Sequence, residues 1–158
     1  MNTEPGTKPR LTTLVIGVAA LVVVLDQLTK WWALRALDDR DIDLFWTLRL
    51  HLVENSGAAF SLAGGRGGLV ALLAIAVVIA LIAFGRAIDT KVGAVALGLV
   101  LGGAAGNILD RVFRDGNGFL GGAVIDFVDL QWWPVFNVAD AAVTIGGLII
   151  VFVVARAP

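Results

Sequence analysis

The sequence predicts an all-α membrane protein, four transmembrane helices with a small extracytoplasmic β element, and three observations carry that prediction. Hydrophobic residues make up 58% of the 158 and charged residues 16%, with a mean hydropathy of +0.88. A soluble domain of this size would have too little polar surface to cover itself. Four apolar stretches, at about 12–32, 68–86, 92–110 and 135–155, approach the roughly 20 residues needed to cross about 30 Å of hydrocarbon. After the first of them, TLRLHLVENSGAAF alternates Leu48, Leu50 and Leu52 with Arg49 and His51, the period-two pattern of a half-buried strand lying at the membrane surface.

Taken in order, the chain opens MNTEPGTKPR and runs into the first apolar stretch without a convincing small-residue cleavage site, so that stretch reads as a retained span and not a removed signal peptide. Lys8 and Arg10 precede it, Arg86 and Lys91 bracket the short link between the second and third spans, and Arg156 follows the fourth. Compact basic segments of this kind stay in the cytoplasm. Both termini are therefore expected there, in a bacterial inner membrane, with the long connections 33–67 and 111–134 outside. Those connections also carry Arg35, Arg40, Arg49, Arg66 and Arg114, but spread out and mixed with Asp38, Asp39, Asp41, Asp43 and Asp115. The cluster DDRDID at 38–43 reads most simply as a solvated loop. GLVLGGAAG at 98–106 is a packing signal, since small residues let membrane helices approach closely. Without an internal repeat or a low-complexity linker, residues 1–158 form a single integral membrane domain.

Composition also excludes functions. A net charge of −1 with no basic patch argues against nucleic acid. Cys is absent and His51 is the only histidine, which removes thiolate and histidine-rich metal sites, disulfides and a Cys nucleophile. No metal and no cofactor are expected, and a monomer is.

Polar residues inside the apolar runs need a reason, because a charge near hydrocarbon costs several kcal/mol. At about 1.5 Å rise per residue, Asp26 and Lys30 fall in the outer half of the first span. Asn107 and Asp110 lie near the outer end of the third, and Asn137 and Asp140 near the outer end of the fourth. Asp126, fourteen residues before Asp140, can fold back to the same depth. Asp26 and Lys30 form the acid-before-base i,i+4 pair that stabilises a helix, a structural role. Asn107, Asp110 and Arg111 share a face, with Arg111 expected to pair with Asp110. His51, alternating with leucines, reads as a surface residue. Ser56, five residues from it, lacks the separate-helix arrangement of a membrane Ser and His pair. Trp31, Trp32, Trp132 and Trp133 fall where an interfacial aromatic belt belongs.

The groups left to run a reaction are carboxylates. Two held close cannot both ionise cheaply, so one keeps a proton. The anion can then draw a proton from an attacking water while the acid polarises a carbonyl and protonates the leaving group. Asp126 and Asp140 suit this by spacing and depth, although a proton or solute pathway would place the same groups there.

DQLTK at 26–30, ENSGAAFS at 54–61, GGAAGNILDRV at 102–112, VIDFVD at 124–129 and FNVADAAVTIG at 136–146 occur in an order and a four-span setting that resembles bacterial lipoprotein signal peptidase, also called signal peptidase II. The resemblance implies an aspartyl membrane endopeptidase without a metal. Its substrate would be a lipid-modified prolipoprotein, cut just before a diacylglyceryl-modified cysteine. By that resemblance Asp126 and Asp140 are the catalytic pair. Asn55, Gly57, Asn107, Arg111 and Asn137 match polar or close-packing positions around them, and Asp26 with Lys30 matches a motif of unassigned role. Asn55 and Arg111 are expected to hydrogen-bond the substrate backbone and Asn137 to orient Asp140. Asp129 is not carried over as catalytic.

Overall fold

The computed structural model describes residues 8–56, 90–116 and 120–155. Helix α1 (Lys8–Ala36) is followed by strands β1 (Ile42–Phe45) and β2 (Leu48–Asn55), helix α2 (Lys91–Phe113), strand β3 (Val124–Asp129) and helix α3 (Val138–Ala155). Three of the four expected spans fall on these helices. The stretch 68–86 and Gly57 lie outside the described residues. By length and composition α1 and α2 can each cross a membrane, with mean hydropathies of 2.2 and 1.9 in their most apolar windows. The fourth stretch becomes helical at Val138 and not at 135, because Asn137 caps the helix.

The helices meet along stripes of small or polar residues. On α1 the buried positions Val22, Asp26, Lys30 and Ala33 follow one face, continued by Leu37 just past its end, while Ile16, Leu21, Val24, Leu25 and Leu28 are exposed. That is the inverse of a soluble amphipathic helix and suits an apolar surround. A Cβ on Gly98 would meet Val18, one on Gly102 would meet Ala19 and Val22, and one on Gly106 would lie 2.5 Å from an Asp26 carboxylate oxygen. The ascending register shows that α1 and α2 run parallel. Gly103 abuts the Ala139 carbonyl, and Gly146 abuts Ala96 and Val100, so α3 runs antiparallel to α2. The glycine cluster is thus the packing device its composition suggests, and at Gly106 it also gives room to a carboxylate.

The β element is a three-stranded antiparallel sheet in the order β1-β2-β3. β2 forms where its alternation predicts, but nearly all its residues are half-buried, since β1 and β3 flank it on both edges. The expected loop at 38–43 is partly ordered: Ile42 and Asp43 enter β1, and Asp41 bonds Arg49 and His51. β3 is buried on both faces, with Phe127 against Ala33 of α1 and Leu37 just past it. Beyond it, Phe136 pairs back onto Val128, which returns the chain to the strand just as α3 begins.

Gly103→Ala is expected to destabilise the protein by about 1–3 kcal/mol, the usual cost of overpacking, because the new methyl meets the Ala139 backbone as well as the Val143 side chain. Gly147, with nothing within 4 Å of its Cβ position, tolerates the same change or gains up to about 1 kcal/mol of helix propensity. Thermal melts in detergent compare the two. Equal melts would contradict the close packing of α2 on α3.

Candidate active site

The site grows from one buried ammonium. Lys30 Nζ lies 2.8 Å from Asp26 Oδ2, 2.8 Å from Asp110 Oδ2 and 3.0 Å from Asn107 Oδ1. These use all the donors an ammonium has. Lys30 and Asp26 are fully buried and Asp110 is 1% exposed. Asp26 also accepts the Ala139 N–H at 3.0 Å, joining α1 to the first turn of α3. Asp110 accepts from Arg114 Nε at 2.7 Å, Gln27 Nε2 at 3.2 Å and the Ile125 N–H at 3.3 Å. Strand β3 is therefore tied to α2 at its start.

Asn107 passes this order outward. Its Oδ1 accepts from Lys30 and from Asn137 Nδ2 (3.1 Å), so its Nδ2 is the atom left to reach Asp140 Oδ1, at 2.8 Å. Asn137 is the N-cap of α3 and Asp140 its third residue. Asn137 Oδ1 accepts the Asp140 N–H at 2.9 Å, and Asp140 Oδ2 accepts the Asn137 N–H at 3.2 Å. This reciprocal arrangement is a capping box, and it places Asp140 where a helix N-terminus favours negative charge.

Asn137 Nδ2 also donates to Asp126 Oδ1 at 2.6 Å, and Asn55 Nδ2 donates to Asp126 Oδ2 at 3.0 Å. Sheet register accounts for the second bond: Asn55 pairs with Val124 and Val53 with Asp126, which makes Asn55 and Asp126 diagonal neighbours on one face. Asp126 is 2% exposed. Burial pushes its carboxyl up to about 6; the Asn55 and Asn137 bonds oppose the shift, and the nearby charge of Asp140 adds to it.

Asp126, Asp140, Asn55, Asn107, Asn137, Asp26 and Lys30 thus form one connected network. Arg111 stands beside it, and its predicted partner is corrected. Among the described residues Asp110 forms ion pairs with Lys30 and Arg114, and Arg111 instead donates from Nη1 to the Gly122 carbonyl at 3.1 Å. The reason is geometric: successive helix residues point about 100° apart, and the face of Asp110 is turned to α1. Asp129 sits elsewhere on the sheet, 2.6 Å from Arg49, which holds its carboxyl below the usual range. His51 bonds Asp41 at 2.7 Å, and Ser56 is exposed beyond the end of β2. Sequence reasoning did not single out Gln27, whose amide touches Asp26, the Gly106 carbonyl and Asp110. Its signal was a second polar residue beside Asp26 in an apolar run.

The cluster holds three cations, Lys30, Arg111 and Arg114, and four carboxylates, Asp26, Asp110, Asp126 and Asp140. This set, most of it buried, is neutral when one acid keeps its proton. Among the described residues no group of three or more His, Cys, Asp or Glu could hold a metal ion.

Residues 18–156 match the family model described as Signal peptidase (SPase) II. The lipoprotein signal peptidase of Mycobacterium leprae (strain Br4923) is 42% identical over 145 residues, spanning 90% of this chain and 72% of that protein. The one from Mycobacterium avium (strain 104) is 44% identical over 153 residues, spanning 95% and 84%. A solved bacterial membrane enzyme structure aligns with a TM-score of 0.76 at 29% identity, over 91% of this chain and 94% of that one.

Lys30→Met is expected to destabilise the protein by about 3–5 kcal/mol, since it leaves two buried carboxylates without the cation they share. Thermal unfolding in detergent measures it. An unchanged melt would mean the ammonium is not the anchor of the site.

Proposed function

The chain belongs to the signal peptidase II family of membrane aspartyl proteases, which remove signal peptides from prolipoproteins, and from that premise we propose that Asp126 and Asp140 are its catalytic pair. The observation that carries the proposal is the double use of Asn137, whose amide and backbone hold both carboxylates at once.

Asp140, at the helix N-terminus, is the anion. It draws a proton from the water that attacks the scissile carbonyl. Asp126 keeps its proton, polarises the carbonyl oxygen and then protonates the leaving amine. The proton gained by Asp140 replaces the one given up by Asp126, so the pair ends with one proton, as it began. Asn55, which donates to Asp126, and Arg111, whose charge acts on it, are the residues proposed to hold the substrate backbone.

Four spans with both termini in the cytoplasm would set this pair near the outer face of a bacterial inner membrane. There a diacylglyceryl-modified precursor can approach sideways with its acyl chains still in lipid. Cleavage falls just before the modified cysteine.

Asp126→Asn and Asp140→Asn are each expected to lower signal-peptide release by several orders of magnitude, and the double variant little further, because members of a catalytic unit are strongly non-additive. Asp129→Asn keeps most activity. Release from a diacylglyceryl-modified prolipoprotein, at matched protein levels and with melts recorded, is the readout. Near-normal cleavage by either dyad variant refutes the assignment.

The pH profile follows from Asp126. Raising pH through the Asp126 titration leaves the pair without an acid, so activity is lost as pH rises. In kcat/KM this limb reports the free enzyme, near the value of about 6. Bound substrate excludes water and raises a buried acid further, so the limb in kcat lies at higher pH. A kcat limb at or below that of kcat/KM would contradict the assignment of Asp126 as the acid.

A further inference from the structure

Flanking the Asp26 stripe, α1 and the residue that follows α2, Arg114, line a groove of about 510 Å³, with Val24, Gln27, Leu28, Leu34 and Trp31 as its α1 walls. Its walls are almost wholly apolar, and Val24, Leu28 and Trp31 are exposed. The polarity is graded along its length. Gly106 of α2 faces Asp26, and the two helices run parallel, so Arg114, two turns further on, is level with Leu34 at the upper end. Arg35 stands at the same end, its guanidinium 3.8 Å from the centre of the Trp31 ring. From Leu34 down to Val24 is about 15 Å at 1.5 Å per residue, or half of a hydrocarbon core of about 30 Å.

We propose that this groove binds one anionic phospholipid, its phosphodiester between Arg114 and Arg35 and one acyl chain laid down the face formed by Leu34, Trp31, Leu28 and Val24. The match is one of charge and length together. Two guanidiniums lie at headgroup depth, beside a tryptophan of the kind that settles at that interface, above an apolar slot one leaflet long. Planar guanidinium is the side chain suited to phosphate oxygens. Arg114 directs its Nε to Asp110 at 2.7 Å and remains partly exposed, at 24%. Exposed Asp38, Asp39 and Asp115 follow on the water side and weaken the local field, so the preference expected over a zwitterionic lipid is about tenfold, the effect of a single charge-assisted hydrogen bond. The site is separate from the carboxylate pair. It rests on the chain being embedded in a membrane and not on the catalytic assignment, so the two readings can fail independently.

The test is competitive lipid retention by the full chain, taken from nanodiscs of equal phosphatidylglycerol and phosphatidylcholine into mild detergent and weighed by native mass spectrometry. The parent is expected to hold one lipid, phosphatidylglycerol over phosphatidylcholine by about tenfold. Arg35→Gln and Arg114→Gln should each cut that preference several-fold. Leu28→Trp, which fills the slot without touching an ion pair, should abolish retention of either lipid. Glycerol 3-phosphate, which has the headgroup and no chain, should not displace the bound lipid. Equal retention of the two lipids by the parent, an undiminished preference in Arg35→Gln, retained lipid in Leu28→Trp, or displacement by glycerol 3-phosphate would each overturn the proposal. Should Arg114→Gln fail to fold for loss of its bond to Asp110, the Arg35 and Leu28 variants still decide it.

Discussion

Everything at this site depends on the neutralisation of Lys30. An ammonium with no exposure costs several kcal/mol to bury, and attraction to its partners offsets that only when geometry and remaining hydrogen bonds are good. Here Asp26 comes from the same helix, Asp110 and Asn107 from the next, and the carboxylates carry the order on to Ala139 of α3 and Ile125 of β3. One cation therefore fixes three helices and a strand relative to each other. The glycines of α2 are the condition for it. Without the close approach of α1 backbone to Gly102 and of the Asp26 carboxylate to Gly106, α1 and α2 would stand too far apart for bonds of 2.8 Å.

The same frame settles which atom faces which. An amide has an acceptor end and a donor end, and Asn107 offers its acceptor to Lys30, so its donor must face Asp140. Asn137 accepts from the Asp140 N–H and has its donor left for Asp126. The dyad is thus contacted by amides and backbone N–H groups, while Lys30, Arg111 and Arg114 neutralise the surroundings from one residue further out. A guanidinium bonded directly to Asp126 would hold its proton off, as Arg49 does for Asp129. Asp126 is bonded by the amides of Asn55 and Asn137, and burial outweighs their pull and that of Lys30, so its carboxyl is raised instead.

Much of this was legible in the sequence. Apolar run length marks α1, α2 and α3, and period-two alternation marks β2. Polar residues stranded in apolar runs mark Asp26, Lys30, Asn107, Asn137 and Asp140. What sequence did not yield was pairing between elements. Spacing along α2 suggested Asp110 with Arg111, yet the partner of a helix face depends on which helix it is turned to, and periodicity is silent on that. Four-residue β1, with its irregular register, was hidden inside an acidic run because two of its neighbours in that run, Asp38 and Asp39, are solvated while Asp41 is held by Arg49 and His51. Gln27 escaped because a lone amide in an apolar helix has no spacing rule to mark it.

The central claim is that the proposed pair, Asp126 and Asp140, shares one proton and that it resides on Asp126. Infrared difference spectroscopy of the protein labelled with carbon-13 at aspartate carboxyls reads this directly, since a protonated carboxyl absorbs apart from a carboxylate. The account predicts a protonated-aspartate band that titrates near pH 6 in the free protein and is missing from Asp126→Asn. A band that survives in Asp126→Asn and is missing from Asp140→Asn would contradict it.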